Sequence, residues 1–173
     1  MTQHDLIANE ASAAQNAGDE GSSRQYLSFF LGGQEYATDI LRVQEIKGWD
    51  TVTRVPYSPG YILGVINLRG AIVPVVDLRV RFALESAPFD SATVVIVVRV
   101  AGARGERIVG LVVDAVSDVY SFSAENIQPA PEAVGSLDQM FVLGLAKHED
   151  KLVIILDIER LVISSVLGDT KAA

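Results

Sequence analysis

Four aspartates, Asp77, Asp114, Asp118 and Asp157, and two histidines, His4 and His148, are the side chains with the chemistry for proton transfer or metal binding. Converging carboxylates can act as general acid and base, and a zinc site needs several histidine, cysteine or carboxylate ligands on one spot. The spacing serves neither. Each aspartate stands where an apolar run is interrupted or ends, positions at which strand ends and helix caps use aspartate for backbone reasons. His4 lies in a polar N-terminal stretch and His148 in the charged bend Lys147-His148-Glu149-Asp150-Lys151, so both read as solvated histidines. The phosphate-binding G-x-x-x-x-G-K-[ST], the G-x-S-x-G elbow, H-E-x-x-H and the calcium-loop spacing do not occur. With no cysteine there is no thiol chemistry and no disulfide framework. The expectation is a protein that is not an enzyme, with no catalytic, cofactor or metal residue.

Recognition has a better candidate in Arg69. It falls in Gly64 to Leu78, two apolar, β-branched runs joined across Asn67-Leu68-Arg69-Gly70. Such runs fit a pleated, half-buried surface, and glycine at the join suits a tight turn, so the stretch predicts a hairpin with a cation at its bend. Alone, Arg69 reads as a solvated turn arginine. Two neighbours point to a docking site: the polar Asn67, and Pro74 within a strand-like run, which predicts an edge or bulge rather than a central strand.

The elements around that hairpin read mostly as short strands. Gln25 to Leu31 predicts a strand, Gly32-Gly33 its turn, and Glu35 to Ile46 an extended return with a bulge near Asp39. An amphipathic helix from Asp39 to Lys47 is the competing reading, since Ile40, Val43 and Ile46 recur every third residue. Pro56 and Pro59 pin an irregular crossing from Thr51 to Tyr61. Asp77 is placed to cap a short helix through Phe82, leaving Arg79 and Arg81 mainly solvated. Thr93 to Val100, Arg107 to Val113 and Ala115 to Phe122 predict further strands, with Asp114 and Asp118 at bends. A loop from Ser123 to Asp138 carries Pro129 and Pro131. Met140 to Ala146 and Leu152 to Leu156 predict a last hairpin, and Asp157 opens a terminal helix turning Ile158, Leu161, Val162 and Val166 to the sheet. Many short strands with two short helices indicate an all-β protein, and two small barrels suit the length of 173 residues better than one large one.

Composition narrows the function classes. A net charge of −8 opposes nonspecific binding to nucleic acid or anionic lipid, and the arginines lack interleaved aromatics for base stacking. No apolar run reaches the roughly 18 residues of a membrane span. The N-terminus has no basic start followed by an apolar centre, so the expected location is the cytoplasm. Residues 1–24 read as a flexible leader and residues 168–173 as a flexible C-terminus. A β scaffold with few fixed charges suits a binding module that takes an amphipathic helix in a groove between barrels. Val43, Val94 and Val116 are candidates to line such a groove, with core packing as the plainer reading for each.

Three stretches then carry a resemblance. The run from Arg54-Val55-Pro56 through Tyr61-Ile62-Leu63-Gly64-Val65-Ile66-Asn67-Leu68-Arg69-Gly70 to Ile72-Val73-Pro74-Val75-Val76-Asp77-Leu78, together with Asp39 to Ile46 and Gly110 to Val119, resembles CheW-type chemotaxis coupling proteins over about Gln25 to Leu167. The resemblance implies two five-stranded SH3-like barrels in a domain spanning 25–167. It also implies a non-enzymatic adaptor that joins the cytoplasmic helical-hairpin tips of chemoreceptors to the regulatory domain of the chemotaxis histidine kinase, in ring-forming arrays to which partners recruit it. Carried over by motif, the receptor-binding residues are Val43, Glu45, Gly64, Arg69, Val94 and Val116. The kinase-binding stretch is Ile127, Gln128, Pro129, Pro131 and Ala133. Some relatives carry a basic residue and an aromatic where this chain has Gln128 and Ala133, which bears on one ring contact and not on the fold. A small β-barrel enzyme or ligand carrier on the same scaffold is the alternative.

Overall fold

The computed structural model describes residues 23–85, 88–102, 105–131 and 139–166. Among them the chain forms strands β1 (Ser23–Leu31), β2 (Gln34–Asp39), β3 (Val43–Gly48), β4 (Ile62–Leu68), β5 (Ala71–Asp77), β6 (Val94–Gly102), β7 (Gly105–Val113), β8 (Ala115–Ser123), β9 (Ile127–Gln128), β10 (Val142–His148) and β11 (Lys151–Leu156), with helices α1 (Leu78–Arg81) and α2 (Ile158–Val166). They make two sheets, ordered β8-β1-β2-β11-β10-β9 and β3-β6-β7-β5-β4. The fold is all-β, with five long strands in each sheet and the two-residue β9 added to the first. The chain begins in the first sheet, builds the whole of the second, and returns at β8.

Both sheets curl on cores of their own. Tyr26, Ala37, Phe122, Ala146, Val153 and Ile155, from β1, β2, β8, β10 and β11, form one cluster, and Leu68, Val73, Val75, Val95, Val97 and Val112, from β4 to β7, form another. A third and larger cluster lies between the sheets and includes Leu27, Phe29, Leu31, Val76, Ile96, Val98, Val100, Leu111, Val113, Phe141, Leu161 and Val162. Alternate residues of β6 therefore serve different cores, Val95 and Val97 inside the second barrel, Ile96 and Val98 between the barrels. This is why Val94 to Val98 reads as an unbroken apolar run: a strand buried on both faces has no polar side to show.

Several expectations need correction. The return from Glu35 to Ile46 is neither a continuous strand nor a helix; Asp39 accepts from Leu41 N and starts one 3-10 turn, Ile40–Arg42, that hands the chain from the first sheet to the second. Pro74 does not mark an edge, because β5 pairs with β4 on one side and β7 on the other. The β7 ladder begins at Val75, one residue beyond the proline, so the missing N–H falls before the register with β7 starts. Asp118 belongs to a bulge, where Ser117 and Asp118 of β8 face Ser28 alone on β1. β1 starts at Ser23, two residues ahead of the expected boundary, while Leu167 and the C-terminus lie outside the described residues.

The largest departure concerns Arg79 and Arg81, expected in solvent. Asp77 does cap α1, accepting from Arg79 N at 3.0 Å. Its carboxylate also takes the Arg79 guanidinium, with Nε 3.2 Å from Oδ1 and Nη2 3.3 Å from Oδ2, and Asp114 Oδ1 lies 3.4 Å from Nη1. The guanidinium carbon stands 4.8 Å from the centre of the Phe89 ring, and the Arg79 side chain is 3% exposed. The charge is buried because two carboxylates and an aromatic face replace its water. Arg81 lies over Tyr61 and Phe141 and donates to Ser164 Oγ at 2.9 Å and Ser165 Oγ at 3.0 Å, which fastens α2 to the body. Removing Arg79 would leave two carboxylates without their counter-charge. Arg79→Ala should lower the unfolding free energy by about 3–5 kcal/mol in urea titrations, whereas a loss below about 1 kcal/mol would show the network to be energetically idle.

Candidate functional site

β3 and β4 are the two ends of the second sheet, and the hairpin bend between β4 and β5 reaches from one end to the other. Leu68 and Ala71 are in register, so the turn is the pair Arg69-Gly70, both with positive φ, the geometry of a two-residue hairpin turn that matches strand twist. Asn67 Oδ1 accepts from Gly70 N at 2.8 Å, which accounts for a polar side chain beside the bend. Held this way, Arg69 places Nη2 2.8 Å from Glu45 Oε2 on β3. A bulge between Val43 and Glu45 sets Glu45 opposite Val97, on the strand face that lines the second barrel. The ion pair thus spans the seam at which the sheet closes. The arginine side chain is 73% exposed and the glutamate 24%. An exposed pair of this kind is worth about 0–1 kcal/mol and serves to position more than to stabilise. Glu45 Oε1 is buried and meets no hydrogen-bond donor among the described residues. The seam therefore presents a cation with spare donors, held by a carboxylate whose other oxygen is buried.

Gly64 lies lower on the same seam. Thr53 N and Val65 N exchange hydrogen bonds with each other's carbonyls at 2.9 and 2.8 Å, adding a one-residue bridge to β4. A β-carbon on Gly64 would overlap the Thr53 carbonyl, and its φ of +153° disfavours any other residue. Val43, Val94 and Val116 are half-buried and pack on the core between the barrels. The core-packing reading holds for all three, since each joins that core. They are not one cluster: Val43 is in register with Val98, four residues along β6 from Val94, or about 13 Å. Glu45 and Arg69 form one group and Val43 lies on the inter-barrel face, while Val94, opposite Val113, and Val116, opposite Phe29, flank the Asp114 crossing.

The proline stretch is partly built. Ile127 and Gln128, expected in a loop, form β9 against Ala146 and Leu145. The approach depends on Gly144, whose added β-carbon would stand 2.7 Å from Ile127 Cγ2 and against the Gln128 carbonyl. Asn126 and Ser123 hold each other across the preceding turn. Ile127 packs on the first barrel's core, leaving Gln128, Pro129 and Pro131 exposed; Ala133 lies outside the described residues. His148, expected in solvent, is half-buried with its ring stacked on Tyr120 at 4.0 Å, because its place on β10 is on the Ala146 face, toward the barrel interior.

Two apolar side chains escaped the sequence reading. Leu41, on the 3-10 turn, is 84% exposed beside a depression of about 490 Å³ lined in part by Arg24, Asp39 and Ser121. Ile72 shares a strand face with Val76 of the inter-barrel core, yet is itself exposed. Both sit inside apolar patterns, and only three-dimensional packing reveals which end of a pattern stays uncovered. Among the described residues no group of three or more His, Asp or Glu could hold a metal ion, and no helix is long and apolar enough to cross a membrane. Gly64→Ala should cost about 2–4 kcal/mol in thermal unfolding, and Gly144→Ala should speed amide exchange at β9 and its β10 partners while leaving the second sheet protected.

Comparison with known proteins places this geometry. The model of the CheW-like domain matches residues 25–165. A chemotaxis protein CheW of Klebsiella aerogenes is 47% identical over 162 residues, covering 94% of this chain and 95% of the relative. A probable chemotaxis protein CheW of Rhizobium etli is 39% identical, covering 84% and 89%. The crystal structure of the scaffolding protein TtCheW from Thermoanaerobacter tengcongensis superposes with a TM-score of 0.72 at 36% identity, covering 80% of this chain and 86% of that one. Identity at this level over nearly full lengths, with the two-sheet fold in common, shows that the chain belongs to the CheW-like domain family.

Proposed function

We propose that this protein is a non-enzymatic chemotaxis adaptor in the cytoplasm, which couples the cytoplasmic helical-hairpin tips of chemoreceptors to the regulatory domain of the chemotaxis histidine kinase. Relatives named as chemotaxis proteins and a structural neighbour titled as a scaffold support the class. The observation that carries the receptor side is the Arg69–Glu45 pair, an exposed guanidinium held in place by a mostly buried carboxylate. A helical hairpin ending in a tight bend offers the complement, with carbonyls for the arginine's spare donors. Val43 and the exposed Ile72 supply apolar surface close by.

The kinase side rests on Ile127, Gln128, Pro129 and Pro131, with Ala133 beyond them in sequence. A loop fixed by β9 and two prolines loses little entropy on docking. The exposed Leu41 and its depression form a second end surface, and two unlike surfaces meeting head to tail generate rings that recruit the protein beneath receptors at the membrane.

Two experiments, a titration and a pull-down, test this assignment. Against a receptor cytoplasmic fragment, Arg69→Ala should weaken binding by about 2 kcal/mol, roughly thirtyfold, and Arg69→Lys by less, since lysine keeps charge but not the planar fork. Kinase binding should persist in both variants, with a stability change no larger than a surface ion pair allows; receptor affinity unchanged in both would remove Arg69 from the interface. Replacing Ile127, Pro129 and Pro131 together by Ser should weaken kinase pull-down while circular dichroism stays native, and undiminished capture would put that contact elsewhere.

A further inference from the structure

The segment joining β3 to β4 carries a side chain that the chain itself does not use. Tyr57 is fully exposed and has a φ of 61°, in the left-handed region. It is the second central residue of a turn whose first is Pro56, a place where positive φ is normally taken by glycine or asparagine because a β-carbon crowds the backbone there. Nothing among the described residues offsets that strain, since the ring buries no surface there. Nor is the turn loose. Ser58 Oγ donates to Val55 O at 2.8 Å, Ile62 N donates to Pro59 O at 2.9 Å, and Pro56 and Pro59 restrict the backbone on both sides. A strained conformation held rigidly around an unused aromatic ring is the pattern of a contact made with something else.

The position of the turn indicates the partner. Arg54 packs its backbone directly on Gly64, so that the turn rises from the same seam that carries Arg69 and Glu45. At its foot is a shallow groove of about 440 Å³ lined by Arg54, Val55, Pro56, Pro59, Ile62 and Leu63, with Val55 partly exposed. The surface thus combines an aromatic tip, an apolar floor and a cation. Its complement is the side of an α-helix with apolar residues and a carboxylate.

We infer that Tyr57 is a second anchor for the receptor hairpin, its ring lying on an apolar helix face while Arg54 meets an acidic side chain. The inference rests on the assignment of the Gly64–Arg69 seam to the receptor. Tyr57 is rigid and has only two side-chain torsions to fix, so it docks at low entropic cost.

The experiment titrates the full-length protein against a soluble receptor cytoplasmic fragment by calorimetry, comparing Tyr57→Ala, Tyr57→Gly and Tyr57→Phe, with Arg69→Ala as a separate arm. Ala and Gly should each weaken binding about tenfold, and Phe should stay within about threefold of wild type. Tyr57→Gly separates docking from folding, because relief of the positive φ should raise the melting temperature while affinity falls. Kinase binding should be the same in all variants. Wild-type receptor affinity in Tyr57→Ala and Tyr57→Gly, with Arg69→Ala weakened, would overturn the role of Tyr57 and leave the receptor face standing. Full affinity in every variant would overturn both, as would failure of the wild-type protein to bind the fragment.

Discussion

A guanidinium that has left water sets the relation between the two barrels. Arg79 sits at the start of α1, directly after the last strand of the second barrel's central hairpin, and its charge is met by Asp77 from that strand and by Asp114 from the crossing into β8. Asp114 also accepts from Gly32 N at 2.8 Å, in the β1–β2 turn, and its own N donates to Phe30 O. The chain therefore has a fixed hinge where it passes from barrel two to barrel one. Phe89 covers Arg79 and stacks in turn on Trp49, with ring centres 4.2 Å apart, so the segment after β3 joins the same assembly. Buried ion pairs often stabilise no better than well-packed apolar residues would. What this one supplies is geometry, because a bidentate guanidinium can donate to its carboxylates in few arrangements. The apolar core between the barrels resists separation, while the Arg79 contacts oppose sliding.

Most strands were readable because their faces are chemically unlike or their runs are short and punctuated. The terminal helix was readable from the spacing of Ile158, Leu161 and Val162, and all three are buried against the inter-barrel core. The passages that misled share a cause, which is contact with residues far away in sequence. Nothing near Arg79 announces Asp114 or Phe89, and nothing near His148 announces Tyr120. Pro74 followed a sound rule, but the rule concerns the ladder on one side of one residue, and the β7 register begins just past it. The residues proposed to face a receptor came from motif likeness. The pairing of Arg69 with Glu45 could not be read from composition, because 24 positions separate them and only closure of the sheet joins them.

The first barrel shows how far local pattern can be overruled. Glu35 is buried between apolar strands, accepting from Ser28 Oγ and, at 2.7 Å, from Tyr120 Oη. Burial, and next the Glu35 carboxylate itself, push the Tyr120 phenol above its ordinary range, so at neutral pH it remains a donor. The His148 ring lies flat on the other side of Tyr120. Together these residues fill the barrel interior beneath Tyr26 and Phe122 with a hydrogen-bonded group where β10 and β8 face each other across the barrel. In sequence His148 reads as a solvated histidine in a charged bend.

An adaptor that acts by contact alone can transmit a signal only if its surfaces keep a fixed relation while partners pull on them. Every exposed element proposed here for recognition is tied to rigid backbone within one or two residues. Arg69 stands on a two-residue turn between paired strands, Leu41 on a 3-10 turn whose Arg42 is 2.8 Å from Glu159 of α2, and Gln128 on a strand that Gly144 allows to close on β10. The two ends are linked through the shared core, since β1 and β2 of one barrel and β6 and β7 of the other contribute to a single cluster. A displacement imposed at the seam of the second barrel then has a path to the first through that shared core, because close-packed interiors carry strain instead of absorbing it.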